Sequence, residues 1–412
     1  MERLAIDGGK PIFEKPLPAR KLIGEEEKLA VMHLFDDAIK SGEAFGYNGP
    51  VEKQYEKDFV DFMHGGFADG VNSGTNAVFC ALGALQLDAL SEVIVPPITD
   101  NGGVTPVVFA GCVPVMADSD PRSFNVCADG IRPLINERTR AILVAHIGGE
   151  PVDMDPIVAL AREHNLYLVE DCAQAHAAKY KGKMVGTFGD VAAFSTMFGK
   201  HHCTGGQGGV VYTRNEQLHW QGRRFADRGK PFNLSVENNV VAGLNCNLND
   251  LSACIGSVQI KKLPCIIEKR RKLAGLIKEG LKKSKAVSMG WQVPDTESSY
   301  WFMRLKLDSN AIRVDKQTFC KALEAEGVMV NSDYNHVPCT FPWFKDKAVF
   351  GKSGFPWNCS DYKGPKNPSF EMKNTREAVE AHFIMHLFES WNESEINNIL
   401  AALNKVEVAY LR

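Results

Sequence analysis

The feature that most constrains the fold is an alternation of short apolar runs with helical segments over residues 76–213. The runs are rich in Val, Ile and Leu and lie at residues 93–97, 114–118, 140–147, 166–171, 191–195 and 209–213. Segments between them, such as 76–87 and 154–165, have apolar residues at helical spacing. Strands that are apolar along their whole length are typical of parallel sheets covered by helices. The sequence therefore predicts an α/β fold with a mostly parallel sheet.

Helical patterns flank this region on both sides. Residues 25–40 and 51–63 predict two helices before it, and residues 251–284 predict a long basic helix that is interrupted near Pro264. The remaining signals are a strand at 300–307 and helices at 315–327 and 394–407. This order predicts a smaller α+β domain after the first. We expect residues 1–270 to form an N-terminal arm and a large α/β domain, and residues 271–412 to form the smaller C-terminal domain.

Composition excludes several classes of function. The net charge of −3 gives no excess of positive charge for binding nucleic acid or an anionic membrane. The apolar stretch at 104–117 is too short to span a bilayer, and residues 1–5 lack the apolar region of a secretory signal. The eleven cysteines contain no CxxC pair, which favours reduced thiols over a disulfide framework and predicts a cytoplasmic protein without a metal site.

Two segments predict an anion site beside a buried carboxylate. Residues 72–76 (NSGTN) directly precede an apolar helix, where small residues leave free N–H groups that suit a phosphate, although a simple helix cap has the same pattern. Asp171 ends an apolar strand, and ligands of α/β proteins bind at such strand ends. A buried Asp171 would need a cationic partner such as a protonated ring nitrogen, although a strand-end Asp also commonly caps a helix.

Two further segments supply a lysine and a polar loop. Lys200 follows the strand 191–195 and precedes the glycine-rich run 204–209, so its loop can take backbone paths that other residues cannot. A lysine in a confined loop can form a Schiff base, although most loop lysines are solvated charges. Residues 243–249 (GLNCNLN) form an unusually polar stretch before a long helix, which turn and capping chemistry also explains.

Taken in order, these segments resemble the DegT/DnrJ/EryC1/StrS family of sugar and cyclitol aminotransferases. The similarity runs from LAIDGGKPIFEKPLP through GYNGPVEKQYEKDFVDFM, NSGTNAV and VIVPPITDNGG to GLNCNLNDLSACIGSVQI. Its most specific part is EDCAQAHAAKYKGKMVGTFGDVAAFS with a lysine five residues later. The resemblance implies a fold-type I pyridoxal-phosphate transferase: a large domain with a mixed, mostly parallel sheet of seven strands between helices, and a smaller α+β domain.

The resemblance also implies a role for each matched residue. Lys200 would hold pyridoxal 5'-phosphate as a Schiff base and then move protons, and Asp171 would pair with the pyridinium nitrogen. Gln174 would approach the phenolic oxygen and Ala173 would lie against the ring. The residues implied in phosphate binding are Gly74, Thr75, Ser195 and, from the neighbouring subunit, Asn245. The last of these implies a homodimer with shared active sites.

The implied reaction has two halves. Glutamate or glutamine leaves its amino group on the cofactor as pyridoxamine phosphate, and a keto-sugar or keto-cyclitol then takes it up. The segment GGKPIFEKPLP resembles the branch that acts on cyclitols such as scyllo-inosose and on related ketones. A nucleotide-linked keto-sugar is the alternative acceptor.

The chain departs from the family pattern at three places around the expected substrate pocket. Asp100 stands where the family usually has an aromatic residue that covers the cofactor ring. The glycine run at 205–209 has one extra residue, and Asn247 replaces a common arginine. These changes leave the cofactor residues in place and bear on the identity of the substrate.

Three alternatives stay open at this stage. In the sugar dehydratases of the family, histidine replaces the lysine; here Lys200 is present, and His201 and His202 are expected to be loop or substrate-contact residues. An iron–sulfur cluster could in principle use Cys246, Cys254 and Cys265, but a structural role for these thiols fits their spacing better. A regulatory protein that keeps the fold is disfavoured because no DNA-binding segment is recognisable.

Overall fold

A computed structural model describes residues 2–412. Its helices are α1 Glu25–Ser41, α2 Pro50–Phe62, α3 Gly74–Ala84, α4 Thr105–Phe109, α5 Ala128–Ile131, α6 Met154–Glu163, α7 Glu216–Ala226, α8 Asp250–Leu281, α9 Lys316–Ala325, α10 Pro342–Lys345, α11 Lys373–Ala381 and α12 Glu393–Tyr410. Its strands are β1 Phe67–Val71, β2 Glu92–Val95, β3 Val113–Met116, β4 Thr139–Ala145, β5 Tyr167–Asp171, β6 Lys179–Tyr180, β7 Lys183–Met184, β8 Val191–Ser195, β9 Gly209–Thr213, β10 Val287–Met289, β11 Thr296–Glu297, β12 Phe302–Leu307, β13 Val330–Asn331 and β14 His382–His386.

The central sheet has seven strands in the order β1-β9-β8-β5-β4-β2-β3. The pairs β2–β3, β2–β4, β4–β5 and β5–β8 are parallel, and β9 is antiparallel to both of its neighbours. The predicted α/β fold with a mostly parallel seven-stranded sheet is therefore confirmed.

Both faces of this sheet are buried, which explains the continuous apolar runs in the sequence. Along β4, Leu143 packs into the largest apolar cluster, whereas the neighbouring Ile142 packs into a separate cluster on the other face. Along β9, Val211 and Tyr212 divide in the same way. Successive side chains of a strand point to opposite faces, so a strand that is covered on both faces favours apolar residues along its whole length.

The edge strand β1 was missed by the sequence analysis because its pattern is broken. Its sequence, FADGV, contains a charged residue and a glycine, both of which are rare in strands. The Asp69 carboxylate is buried and lies 2.8 Å from the Arg223 guanidinium of α7. A long-range ion pair therefore stabilises a charged residue at this position. No local feature of the sequence indicates that Asp69 and Arg223 form this pair.

Helix α8 is continuous from Asp250 to Leu281, so the interruption predicted near Pro264 is wrong. A proline in a helix interior costs about 3 kcal/mol because it removes one hydrogen bond. Buried residues before and after the proline, among them Ile260, Leu263 and Ile267, hold the helix against its neighbours. The domain boundary placed at residue 270 falls inside this helix and stays a prediction.

A second sheet lies in the C-terminal part of the chain, with the order β10-β12-β14-β13 and antiparallel pairing throughout. Residues 2–23 pack on this part of the molecule. Leu4 belongs to the same apolar cluster as Phe319 and Phe383. The Glu326 carboxylate accepts hydrogen bonds from the main-chain N–H groups of Ala5 and Ile12. We call residues 2–23 the N-terminal arm, and its attachment is to the C-terminal sheet.

Among residues 2–412, no helix is both long enough and apolar enough to cross a membrane. The cytoplasmic location expected from the sequence stays a prediction.

One carboxyl group is buried in the first turn of α2 without a full set of partners. Glu52 is fully buried, and one of its oxygens accepts a hydrogen bond from the main-chain N–H of Asn48. Its other oxygen has no hydrogen-bond partner among the described residues. Burial, reinforced by the nearby carboxylates of Glu56 and Asp69, raises the pKa of Glu52 to about 8.

This burial predicts a pH-dependent stability. The pKa of Glu52 is raised on folding, so its contribution is complete below about pH 4.5 and is lost as the pH rises to about 8. Glu52→Gln removes that loss. We expect the difference in free energy of unfolding between this variant and wild type to increase by about 3–4 kcal/mol from pH 5 to pH 8, as measured by urea denaturation.

The exposed Glu43→Gln change serves as the control. A difference between Glu52→Gln and wild type that stays constant from pH 5 to pH 8 would contradict the assigned burial of the charge.

Candidate active site

The predicted site residues meet at the carboxyl edge of the central sheet. Asp171 ends β5, Ser195 ends the adjacent parallel strand β8, and Lys200 follows five residues later. The loop that follows β2 brings Thr99 and Asp100 to the same edge. Carboxyl ends of parallel strands lie together, so residues far apart in sequence become neighbours.

The N-terminus of α3 faces this edge. Ser73 caps the helix, its hydroxyl accepting a hydrogen bond from the Asn76 N–H at 3.1 Å. The main-chain N–H groups of Gly74 and Thr75, in the first turn, have no acceptor within the helix. A Cβ atom on Gly74 would stand 2.5 Å from the Cβ of Ser195, so only glycine lets the helix end approach the Ser195 hydroxyl. Together these groups form a cradle of donors for an anion.

A glycine-containing loop after β2 closes over this cradle. A Cβ on Gly102 would stand 2.4 Å from the Thr75 hydroxyl oxygen, and one on Gly103 would stand 3.1 Å from Asp171 Oδ2. Asp100 Oδ1 accepts a hydrogen bond from the Gly102 N–H at 2.9 Å, which fixes the exposed carboxylate at the mouth of the site. The backbone of the loop thus lies against the site where the family usually has an aromatic side chain.

Asp171 is a buried carboxylate. Its Oδ1 accepts a hydrogen bond from the Ala173 N–H at 2.9 Å. Burial raises the pKa of Asp171, opposed by the Ala173 hydrogen bond and by the positive charge of Lys200. A carboxylate in this state favours a cationic partner close to Oδ2, the oxygen beside Gly103.

Lys200 is buried at the end of its loop and packs against an aromatic ring. Its Nζ lies 4.0 Å from the centre of the Trp301 ring. Burial lowers the pKa of Lys200 to about 8, although the negative charges of Asp171 and Asp100 act in the opposite direction. The amine is therefore much easier to deprotonate than a solvated lysine, which suits a nucleophile and proton carrier.

Gln174 holds two parts of the site together. Its side-chain oxygen accepts a hydrogen bond from the Gly148 N–H at 2.8 Å, and its NH₂ group donates to the Tyr334 hydroxyl at 2.9 Å. Ala173 is half-buried between Asp171 and Gln174. Sequence reasoning missed Tyr334, because it lies 160 residues from Gln174 and carries no local motif.

The polar loop before α8 lies beside the start of the cradle. The Asn72 N–H donates to the Cys246 carbonyl at 2.8 Å, next to the exposed Asn245. The Asn245 side-chain oxygen accepts a hydrogen bond from Asn247 at 2.7 Å. Asn245 is thus near the cradle of its own chain, and its predicted contact with a neighbouring subunit stays a prediction.

His201 and His202 lie in a loop, which is one of the two roles expected for them, and both are fully buried, which gives no support to the alternative of substrate contact. His201 bonds to the Ser299 carbonyl at 3.1 Å, and His202 bonds to the Tyr55 hydroxyl at 3.0 Å. Burial lowers the pKa of each of these two imidazoles. They pack beneath the Lys200 loop as neutral rings.

Glu170, the residue before Asp171, is fixed by its neighbours. The Nδ1 atom of His146 accepts a hydrogen bond from the Val152 N–H, so its Nε2–H donates to Glu170 at 3.1 Å. Three further N–H groups donate to the Glu170 carboxylate, those of Gly186, Phe188 and Gly189. This network anchors the end of β5, and with it the position of Asp171.

The cysteines considered for an iron–sulfur cluster do not converge. Cys254 and Cys265 are separated by eleven residues of α8, which is about 16 Å along the helix axis. Ligands of one cluster must lie much closer together, so a structural role for these thiols is the better interpretation.

The donor set fits pyridoxal phosphate. An anion cradle at α3, a buried carboxylate and a buried lysine of lowered pKa surround one space at the sheet edge. The absence of a Cβ on Gly74 keeps the cradle open. These three features match the phosphate, the ring nitrogen and the aldehyde of that cofactor.

Comparison with known proteins supports the same family and the same cofactor. Residues 25–404 match the model of the DegT/DnrJ/EryC1/StrS aminotransferase family. GDP-perosamine synthase of Caulobacter vibrioides is 32% identical over 67% of this chain and 74% of its own length. L-glutamine:2-deoxy-scyllo-inosose aminotransferase of Streptomyces lividus is 29% identical over 98% of this chain and 97% of its own length.

The solved structures agree with the fold. An aminotransferase from Psychrobacter cryohalolentis superposes with a TM-score of 0.84 at 26% identity, covering 96% of this chain and 100% of that one. The resemblance found from the sequence is thereby confirmed. The chain belongs to the DegT/DnrJ/EryC1/StrS aminotransferase family and is a pyridoxal-phosphate-dependent aminotransferase.

Proposed function

We propose that this protein transfers an amino group from glutamate or glutamine to a keto-sugar or keto-cyclitol, with Lys200 as the catalytic lysine. The observation that carries the proposal is the buried Lys200 amine, with a pKa near 8, at the sheet edge that also holds Asp171. When bound, the cofactor supplies an electron sink that makes a proton on the amino-bearing carbon acidic.

Lys200 supplies the proton carrier. A general base works best when its pKa lies near the operating pH, and burial brings this amine into that range. Its Nζ, held over the Trp301 ring, would take the proton from the amino-bearing carbon of the donor and hold it for the return step.

Asp171 supplies a fixed negative charge. Its position at the end of β5 and its hydrogen bond from Ala173 hold the carboxylate in one orientation. Asp171 would pair with the ring nitrogen and would keep it protonated, because a buried carboxylate is stabilised by a cation.

The other predicted residues hold the cofactor. The N–H groups of Gly74 and Thr75 and the Ser195 hydroxyl lie together at the start of α3 and would bind the phosphate. Gln174, held by its hydrogen bond to Tyr334, would approach the phenolic oxygen, and the half-buried Ala173 would lie against the ring.

The acceptor is proposed to be a polyol ketone. Asp100 is exposed at the mouth of the site. Its Oδ1 accepts a hydrogen bond from the Gly102 N–H, and its Oδ2 does not take part in that bond. A carboxylate there accepts hydrogen bonds from hydroxyl groups of a sugar or cyclitol. The names of the two relatives support both substrate types, since one acts in GDP-perosamine formation and the other on 2-deoxy-scyllo-inosose.

The proposed assembly is a homodimer with shared active sites. Apolar side chains around Asn245 are exposed in the single chain, namely Leu234, Val236, Val240 and Leu244. Exposed apolar groups in one segment favour coverage by another protein surface. In the proposed dimer a second copy covers these side chains, and Asn245 reaches the partner's phosphate site, as the family resemblance implies.

Lys200→Ala is expected to abolish transamination while the fold is kept. The variant loses both the covalent attachment and the proton carrier, so turnover should fall by at least about 1,000-fold. The measurement is the loss of the visible band of the bound cofactor together with an assay of keto-acid formation from glutamate. The matched control is Lys181→Ala, an exposed lysine paired with Asp155. Substantial turnover in Lys200→Ala would exclude the assigned role.

Asp171→Asn is expected to retain the cofactor but to lower kcat by about 100-fold or more. A neutral amide no longer favours the protonated ring nitrogen, so the electron sink weakens. Single-turnover absorbance with glutamate measures the half-reaction directly. Asp155→Asn, at an exposed carboxylate, is the matched control. An undiminished rate for Asp171→Asn would rule out the pairing.

The acceptor is tested by recovery of the starting absorbance. The protein is first converted with glutamate or glutamine, then offered scyllo-inosose, 2-deoxy-scyllo-inosose or a nucleotide-linked 4-keto-sugar. Recovery with one of these classes, followed by detection of the aminated product by mass spectrometry, identifies the acceptor. A product that has lost water instead of gaining an amino group would support a dehydratase and contradict the proposal.

A further inference from the structure

An arginine of the N-terminal arm binds the loop that carries Lys200. The Arg20 guanidinium donates hydrogen bonds to the carbonyl oxygens of three consecutive residues, at 3.0 Å for Gly199, closer for Lys200, and at 3.0 Å for His201. Arg20 comes from a part of the chain 180 residues away from Lys200. Its side chain is about nine-tenths buried, with 11% exposed.

These hydrogen bonds define the backbone at Lys200. Carbonyl groups in a buried loop need donors, because burial removes the hydrogen bonds that they would otherwise accept from water. The planar guanidinium has donors in a rigid fork, which fixes the acceptors relative to each other as well as to itself. Arg20 therefore fixes the backbone conformation at Lys200, and with it the point from which the Lys200 side chain extends.

The Arg20 guanidinium is in turn held by a shared carboxylate. Glu389 accepts from Arg20 Nε at 2.8 Å through one oxygen and from Arg270 Nε at 2.8 Å through the other. Arg270 is almost fully buried, and burial lowers the pKa of its guanidinium to about 10. The carboxylate of Glu389 is thus locked between two charged, hydrogen-bonded groups.

The same network reaches the other side of the Lys200 amine. Arg270 donates a hydrogen bond to the Tyr300 carbonyl at 2.8 Å, directly before Trp301. The Trp301 indole N–H donates to the Gly199 carbonyl at 3.3 Å, and its ring lies 4.0 Å from the Lys200 Nζ. Arg20, Glu389 and Arg270 therefore connect the backbone of Lys200 with the ring that covers its amine.

We propose that Arg20 and Glu389 are positioning residues that set where the Lys200 amine stands relative to Asp171 and Trp301. The inference rests on the proposed function of Lys200. Displacement of a reacting group by about 1 Å can cost on the order of 100-fold in rate, so a guanidinium outside the substrate pocket can still control turnover.

The arm has attachments that do not involve Arg20. The Trp391 indole N–H donates to the Pro18 carbonyl at 2.9 Å, and the Ser390 hydroxyl donates to the Ala19 carbonyl at 2.9 Å. Loss of the Trp391 bond weakens the docking of the arm without removing any donor to the Lys200 loop. Trp391→Phe is therefore the matched control.

The experiment compares the complete holoenzyme in four variants: Arg20→Gln, Arg20→Lys, Glu389→Gln and Trp391→Phe. Steady-state kcat and KM are measured for both substrates. In parallel, the visible band of the bound cofactor is titrated with pH, which reports the environment of the Lys200 nitrogen without turnover. The charged groups that face this nitrogen are Asp171 and Asp100, beside the Trp301 ring.

Arg20→Gln is expected to lower kcat by about 10- to 100-fold with KM changed by less than about threefold, and to move the midpoint of the titration by at least about half a pH unit. Arg20→Lys keeps the charge but loses the fork, so it should recover part of kcat and part of the midpoint. The kcat and the titration midpoint of Glu389→Gln should lie between those of Arg20→Gln and Arg20→Lys. Trp391→Phe should match wild type within about twofold in kcat, with an unchanged midpoint.

Two results would overturn the inference. One is that the kcat and the titration midpoint of Arg20→Gln equal those of wild type. The other is an equal change in Trp391→Phe, which would assign the effect to arm docking alone. If Arg20→Gln does not fold, Arg20→Lys decides between the same outcomes. Failure of the proposed function is distinguishable, because wild-type protein would then show no visible lysine-bound cofactor band to titrate.

Discussion

The burial of a lysine amine beside a carboxylate is the constraint on which the rest of this structure depends. Lys200 and Asp171 are both buried, and burial acts against the charge of each. Each charge partly offsets the cost of the other, but the balance leaves the amine easy to deprotonate. Such an arrangement is stable only where the surrounding backbone is rigid. Most contacts around the site hold this backbone in place.

The rigidity comes from the sheet edge and from distant parts of the chain. The end of β5 is fixed by four donors to Glu170, and the cradle is fixed by the approach of α3 to Ser195. The Lys200 loop is held by Arg20 of the N-terminal arm, which packs on the C-terminal sheet. Lys200 therefore lies where the parallel sheet, the arm and the C-terminal part of the chain meet.

The sequence predicted the parts of this arrangement that are encoded locally. Apolar runs identified six strands of the central sheet, and the strand ends together with the family resemblance identified Asp171, Ser195 and Lys200 as site residues. It could not predict β1, because Asp69 is tolerated only through its ion pair with Arg223. Tyr334, Trp301 and Arg20 were missed for the same reason: each acts through a contact with a distant segment. The sequence left open whether His201 and His202 are loop residues or substrate contacts, because a position next to Lys200 does not reveal which side of the loop a ring faces.

The central claim is that Lys200 is the lysine that binds pyridoxal phosphate. The most direct measurement is borohydride reduction of the purified holoenzyme, followed by proteolysis and mass spectrometric mapping of the modified lysine. The account predicts a single pyridoxyl-modified peptide that contains Lys200, and loss of that modification after prior treatment with glutamate. Modification of a different lysine, or none at all in protein that binds the cofactor, would contradict it.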